Sequence, residues 1–580
     1  MNTKRNFQTI DLLYFLCFGV VLAMSIWKLR FGFPGADESI YIAIPYRILQ
    51  GDAFLLQEWH MSQMSGFLVL PLLRIYLAIT KSTEGIYLAF RYLYTVLHTC
   101  TALYLYFRLR ERNRAGAAVA SVYYELSTYG SLMALSYNTM GIGLMTLACV
   151  TMASSHGKTW EYLFSGLCFA GAVLCCPYLL LVYAAYCLAV LFFRLRKKGG
   201  DLAGVFSVGG WLRFTLSCVL LALLFFWRCS LFSAGSIQKL IESLPMIVVD
   251  DEHPSRSLFE CIRGFYHSFY KYNGYFKPVL YGSLLLSAVI LLDKKRTVRR
   301  PLYLVCALGL TMLFASPYLI MYRTPNYIVF PLCIIGFFAY LLCEEKDHRM
   351  MVLVYIPAAI YWFCIDLSSN MEFSTISGIS VVNTPACFLF IAQLLREMWG
   401  TDRGKRSFAR TAARVSSGLC ALCCAVLIAT LFVSRVEFNY SAPAPWKSPA
   451  LCTQGAVKGI RTTEERLDLY TREYNALAPL REKTDGNVMY FYCESYRYLE
   501  DPKRCGSFSM WFYPRDPEAS AAKLARYWEL NPDKFADYIY LNEEILEDDR
   551  ILPALRSRWN FTEWPLDVGE VLIMERPQLP

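Results

Sequence analysis

Apolar runs close to 20 residues long recur along this chain, and short clusters of arginine and lysine separate them. A helix of about 20 apolar residues crosses a hydrocarbon core of about 30 Å. Inside lipid only a helix or a closed barrel satisfies every backbone amide and carbonyl. Runs of this length therefore restrict the chain to a bundle of membrane helices. Composition agrees: of 580 residues 56% are hydrophobic and 18% charged, where a soluble domain carries about a quarter charged. The net charge of +10 does not point to nucleic acid, because the basic residues lie between the runs.

The fold expected is mainly α and polytopic, with about 13 transmembrane helices. They fall near 10–29, 86–107, 115–134, 138–154, 161–176, 177–193, 211–227, 278–292, 301–320, 326–343, 350–367, 376–395 and 416–434. Lys4-Arg5, Arg108 to Arg114, Arg194 to Lys198, Lys294 to Arg300, Lys346 to Arg349 and Arg403 to Arg414 fall on one side. An excess of Arg and Lys marks the cytoplasmic face, so the N-terminus is expected there. The segment 30–85, the loop 228–277, the turn near 320–326 and the tail from 435 are expected outside. The first run is long and lacks a small-residue cleavage site, so it is expected to remain as span one. Cys175-Cys176-Pro177 divides two spans, or is a re-entrant turn or a proline kink in one long helix.

From about 437 the composition becomes polar, and no run is long enough to span. Asn487 to Cys493 and Asp537 to Leu541 read as buried strands, Glu518 to Trp528 as a helix, and Trp564 to Met574 as strand-like. Strands alternating with helices predict a small extracytoplasmic α/β domain over 437–580, behind a transmembrane module over 1–436. It has no phosphate-cradling glycine loop and no nucleophile elbow, and reads as a structural lid. Most of the 21 cysteines lie inside spans, as small packing residues. On an oxidising face Cys493 and Cys505 are a possible bridge, which the sequence leaves open.

Asp37-Glu38 follows span one. Two adjacent carboxylates at the mouth of a membrane helix are costly unless water, a cation or a substrate meets them. The plainer alternative is a pair of helix-start acids favoured by the dipole. Ser39 to Gln50 carries Ile40, Ile44, Ile48 and Leu49 at helical spacing, which predicts an amphipathic helix in the membrane interface. Glu58, His60 and Gln63 come next, then an apolar stretch 67–79 holding Pro71 and Arg74. That stretch is expected to be a second interfacial helix within 38–80. Taken as a span, it would invert every later loop and put the basic clusters outside.

With its acid pair and two following helices, GADESIYIAIPYRILQGD resembles the first outer loop of the GT-C superfamily of membrane glycosyltransferases. The resemblance is to bacterial relatives of protein O-mannosyltransferases and aminoarabinose lipid A transferases. LCCPYLLLVYAAYCLAVLFFRLRKK is similar to that family's fifth and sixth spans. MYRTPNYIVFPL is similar to the segment opening a late span, and GNVMYFYCESYRYLEDPKRC to the strand that starts its outer domain. The resemblance implies transfer of a sugar from a polyprenyl-phosphate donor to a lipid, glycan or protein acceptor on the outer face. Such inverting transfer needs a carboxylate to take the acceptor's proton and positive charge for the departing phosphate. The resemblance thus makes Asp37 the candidate base. Glu38 is then expected to bind acceptor, hold the site or join a divalent cation, with Glu58 and His60 as further possible ligands. Arg323 is the candidate phosphate partner, since its planar fork meets phosphate oxygens in pairs. Many relatives carry a second Asp between spans three and four. Asn138 stands there in this chain; it cannot act as a base but can orient an acceptor, so that Glu58, His60, Gln63 and Asn138 are expected to bind substrate, with Glu125, Glu58 and His60 as candidates for the missing charge. Two other readings are a transporter or flippase of lipid-linked saccharides and a catalytically silent scaffold of this fold.

Overall fold

The computed structural model describes residues 9–196, 201–231, 233–248, 257–320, 325–369, 371–400, 407–440, 442–491, 494–512 and 514–576. Seven helices open the chain: α1 (Thr9–Lys28), α2 (Ala36–Leu49), α3 (Gly66–Thr80), α4 (Ile86–Leu109), α5 (Arg114–Leu126), α6 (Tyr137–Ala153) and α7 (Thr159–Cys175). The long helices that follow include Leu180–Arg196, Val208–Arg228, Phe276–Leu292, Arg296–Ile320, Thr384–Gly400 and Ser407–Glu437. Leucines such as Leu12, Leu16, Leu220 and Leu285 lie more than half exposed on the outside of this bundle. An apolar exterior of that kind suits lipid and not water. The protein is a multi-pass membrane protein.

Nine helical stretches among the described residues are long and apolar enough to cross a membrane. A tenth results if Leu258–Tyr272 and Phe276–Leu292, bent through 109°, count as one. Of the thirteen expected spans, α4 to α7 and 278–292 do not reach that standard by themselves: α5 has 13 residues, and α6, α7 and Phe276–Leu292 have 17 each, while 63–80, outside the thirteen, does reach it. The expected span 115–134 ends at Leu126, where Ser127 and Thr128 go extended; Gly130 and Ser131 then turn left-handed (φ +57° and +58°), so the chain does not resume the helix. The expected loop 228–277 holds two helices, Ala234–Val248 and Leu258–Tyr272. Cys175 ends α7, a single turn Pro177–Leu179 follows, and a new helix starts at Leu180.

Among the described residues, the basic connections 108–114, 294–300 and 346–349 meet at one end of the bundle. Arg112 pairs with Asp347, Arg114 with Asp11 at 3.1 Å, Arg108 with Glu161 at 2.9 Å and Arg300 with Glu344 at 2.6 Å. Arg349 donates to the Ser155 carbonyl at 2.9 Å. At the other end Lys28 donates to the carbonyls of Arg435 and Phe438, which joins the exit of α1 to that of the last long helix.

That last helix ends at Glu437 and leads into a compact unit. Strands β1 (Ala450–Leu451) and β2 (Arg461–Thr462) form a short antiparallel pair. Strands β3 (Asn487–Tyr490), β4 (Arg504–Cys505), β5 (Tyr538–Asn542), β6 (Phe561–Leu566) and β7 (Gly569–Met574) form one sheet in the order β4-β3-β5-β7-β6. β3 is parallel to β4 and β5, and β7 is antiparallel to β5 and β6. Helix Pro517–Leu530 starts as its sequence dictates: Asp516 caps the amides of Glu518 and Ala519, and Pro517 occupies the first turn. Cys505 is a buried free thiol, and Cys493 lies outside the described residues.

α3 is flanked on both sides by contacts to this unit. Before it, the Trp59 amide donates to Phe508 O at 2.7 Å. After it, Thr83 donates to Leu499 O at 2.6 Å and the Gly85 amide to Gly455 O at 3.0 Å. Residues 63–80 pass the length and apolarity test, but α3 itself has 15 residues, about 22 Å at 1.5 Å per residue. A helix that returns to the same partner on both flanks lies along one face of the bundle.

Candidate active site

α2 starts at Gly35, whose extended backbone provides no side-chain cap, and its first turn carries Asp37 and Glu38. Successive helical residues point about 100° apart, so the two carboxylates have different surroundings. Glu38 turns inward. The Arg91 fork donates Nε to Oε1 and Nη2 to Oε2, each at 2.6 Å. Arg91 also donates to the carbonyls of Leu29 (2.9 Å), Gly32 (2.8 Å) and Phe31 (3.3 Å). It thereby satisfies open carbonyls at the end of α1 while it neutralises Glu38. This pair forms one wall of a small recess shared with Phe31, Ser131, Met133 and Asn439.

Asp37 is half-buried and turns the other way. Its charge acts on three phenols: Tyr41 one turn along α2, Tyr129 in the connection after α5, and Tyr137 at the start of α6. Burial raises Tyr41 and Tyr129 above the usual phenol range, and the Asp37 charge adds to it. Both are therefore neutral donors at physiological pH. Behind them, the Tyr129 hydroxyl lies 3.0 Å from Thr375 Oγ1, which lies 3.2 Å from Ser369 Oγ. The Gly130 amide donates to Asn326 Oδ1 at 2.6 Å. A side chain at Gly130 would meet the Tyr440 ring at 3.3 Å, in a backbone region that favours glycine.

Arg323 lies outside the described residues. Asn326, three positions later, belongs to the wall just described. Asn138 is buried in the first turn of α6, which Ser136 and Thr139 close as a capping box. Its Oδ1 makes no hydrogen bond among the described residues.

Glu58, His60 and Gln63 belong to a second network. Arg47, wholly buried at the far end of α2, donates to Asp52 (2.6 Å), Glu58 (2.9 Å), Gln57 O (2.7 Å) and the Tyr527 hydroxyl (2.7 Å). Lys534 pairs with the other oxygen of Asp52. Burial works to raise Asp52, but Arg47 and Lys534 outweigh it and hold that carboxyl low. For Glu58 burial prevails and the carboxyl is raised. His60 Nδ1 faces the Ser62 hydroxyl at 2.8 Å, and Gln63 Oε1 accepts from the Leu55 amide at 2.7 Å. Gln63 Nε2 is buried with no partner among the described residues. Glu38, Glu58 and His60 do not gather as cation ligands: Glu38 is held by Arg91 and Glu58 by Arg47. No three His, Cys, Asp or Glu among the described residues stand together to hold a metal ion.

The sequence reading passed over Arg91, Arg47 and the three tyrosines. Arg91 did carry a signal, as a lone cation inside the apolar run IYLAFRYLYTVL, where an ionisable group implies a partner. Glu125 is buried in α5 and accepts from Thr99 at 3.1 Å.

No protein-family model and no curated protein matches this chain. Among solved structures it is similar to ArnT from Cupriavidus metallidurans. The form bound to undecaprenyl phosphate is 12% identical, with 97% of each chain covered and a TM-score of 0.44. The apo form is 11% identical, with 98% of each chain covered and a TM-score of 0.48. The Archaeoglobus fulgidus oligosaccharyltransferase, in complex with zinc and sulfate, is 11% identical over 95% of this chain and 73% of its own, with a TM-score of 0.47. Likeness this loose carries no residue role across.

Proposed function

We propose that the chain is an integral membrane glycosyltransferase of GT-C type. It moves a sugar from a polyprenyl-phosphate donor to an acceptor hydroxyl at the face where residues 437–580 sit. The observation that carries this reading is the division of labour in the acid pair. Glu38 is buried in a bidentate pair with Arg91, whereas Asp37 is half-exposed and its charge acts on the neighbouring phenols. Asp37 takes the proton from the acceptor hydroxyl as its oxygen bonds to the anomeric carbon. The bond from that carbon to the phosphate oxygen breaks, and its electron pair leaves with the lipid phosphate. Tyr41, Tyr129 and Tyr137 supply hydroxyls to orient the acceptor. Positive charge for the phosphate is assigned to Arg323.

The test is purification with bound lipid, followed by mass spectrometry and turnover of that lipid. A polyprenyl-phosphate monosaccharide is expected. Asp37→Asn keeps the shape of the side chain but takes no proton, so binding should persist while turnover falls by about 100-fold or more. Full turnover in Asp37→Asn removes this carboxylate from the mechanism, and absence of a phosphate-linked sugar removes the donor class.

A further inference from the structure

The helix that carries Asp37 is gripped at both ends and in its middle by residues 437–580. Before its start, Phe33 packs against Tyr470 and Tyr496 at ring separations of 5.5 and 5.4 Å, and the Arg466 guanidinium sits 4.4 Å over its ring. Arg466 is itself fixed on Glu494 at 2.5 Å, which also pairs with Arg497. In its middle, Ala43 lies within the apolar cluster of Val488, Tyr490, Tyr498 and Met510. At its end, Arg47 is closed in by Tyr527, and Lys534 reaches the same carboxylate that Arg47 holds. The loop after it is pinned as well: Trp59 stacks on Phe508 at 6.1 Å and meets Tyr527 edge-on at 5.0 Å.

From this arrangement we infer that the C-terminal unit is a positioning element for the reaction, with Arg47 and Tyr527 as positioning residues that fix α2 and through it the carboxylate of Asp37. The inference rests on the reading of Asp37 given above, but its geometry is independent of it. A lid needs contacts at the rim of a cavity. Here the contacts run along the back of a single helix and include a buried cation with two buried carboxylates. Removing one partner of such a network leaves an unpaired buried charge, which strongly disfavours partial undocking. The distance from Arg47 to Asp37 along the helix is ten residues, about 15 Å at 1.5 Å each. Release of the Arg47 end can therefore tilt the acid-bearing turn without touching it.

The test uses the full-length protein in lipid nanodiscs and needs no substrate. Modification of Asp37 by a water-soluble carbodiimide is followed by mass spectrometry across pH, together with hydrogen exchange of residues 36–49. Arg47→Met should shift the half-modification pH of Asp37 by about one unit. It should also speed exchange in α2 by about tenfold. Tyr527→Phe, which removes one hydroxyl without emptying the core, should shift both in the same direction by less. Arg526→Ala, at an exposed pair with Glu242, should shift neither. A destabilised but correctly placed helix would exchange faster with an unchanged Asp37 profile, and that result overturns the proposal. So does an equal shift in Arg526→Ala. If Arg47→Met does not fold, Tyr527→Phe decides alone. Turnover retained in Asp37→Asn would sink the base assignment and leave the carbodiimide result standing.

Discussion

At the scale of residues, chemistry here is decided by which charges are already spent. Arg91 answers Glu38 and three carbonyls at once, so Arg91→Leu leaves a buried carboxylate with no partner. The expected loss is about 3–5 kcal/mol, read as a lower melting temperature; a change under about 1 kcal/mol would show that Glu38 is solvated after all. Glu500 gives a pH signature. Burial raises its carboxyl to about 7, against partial relief from the Tyr470 hydroxyl and the Ala456 amide at 2.6 and 2.9 Å. An acid raised on folding holds its proton more tightly in the native state. Stability should therefore be greatest below the unfolded value of about 4.5 and fall as pH rises toward 7. Glu500→Gln should flatten that slope and stabilise the protein at pH 8 by on the order of 3 kcal/mol. An unchanged slope in chemical denaturation across that window would contradict it.

At the scale of elements, α2 and α3 behave differently from what their periodicity suggests. Ile40, Ile44 and Ile48 do line one face, but at 0%, 1% and 0% exposure they meet protein and not lipid. Glu38 meets Arg91 of α4, and Ala43 and Arg47 meet the C-terminal unit, so the expected interfacial helix is a largely buried one. α3 is apolar enough to span, yet its flanks return to one face. A cysteine at Ser82 should thus be labelled by an impermeant reagent from the same side as one at Lys447, and from the opposite side to one at Lys294. The background should lack the exposed Cys17, Cys100 and Cys306. Labelling of Ser82 and Lys294 together would make α3 a span. In intact cells the positive-inside rule further predicts that Lys447 is the outer one.

At the scale of the molecule, the tail is less separate than its composition implies. Trp59 and Ile247 belong to the same apolar cluster as Met489, Leu524 and Leu572, and Phe33 to that of Tyr470 and Ile460. Residues 437–580 expressed alone would uncover that surface. The isolated unit should bind hydrophobic dye and associate, with no transfer activity. A monomeric, cooperatively folding fragment would show that the docked helices add little to it.

Apolar run length sufficed for the long helices, because lipid forces each span to satisfy its own backbone, and the basic clusters sufficed to group the connections 108–114, 294–300 and 346–349 at one end. Strand periodicity sufficed for β3 and β5, whereas the single strand-like stretch 564–574 is two antiparallel strands, β6 and β7, joined by a turn at Asp567-Val568; the Asp37-Glu38 pair stood out because charge at a membrane mouth is costly. Pairing of those charges was not legible. Arg91 meets Glu38 from 53 residues away and Tyr527 meets Arg47 from 480 away, and nothing local selects such partners. The left-handed turn at Gly130-Ser131, beside Tyr129, likewise depends on Asn326 and Tyr440 arriving from segments far along the chain. Local sequence fixes what a segment can satisfy by itself. Which carboxylate is locked by a buried guanidinium is settled only when the whole bundle has closed around it.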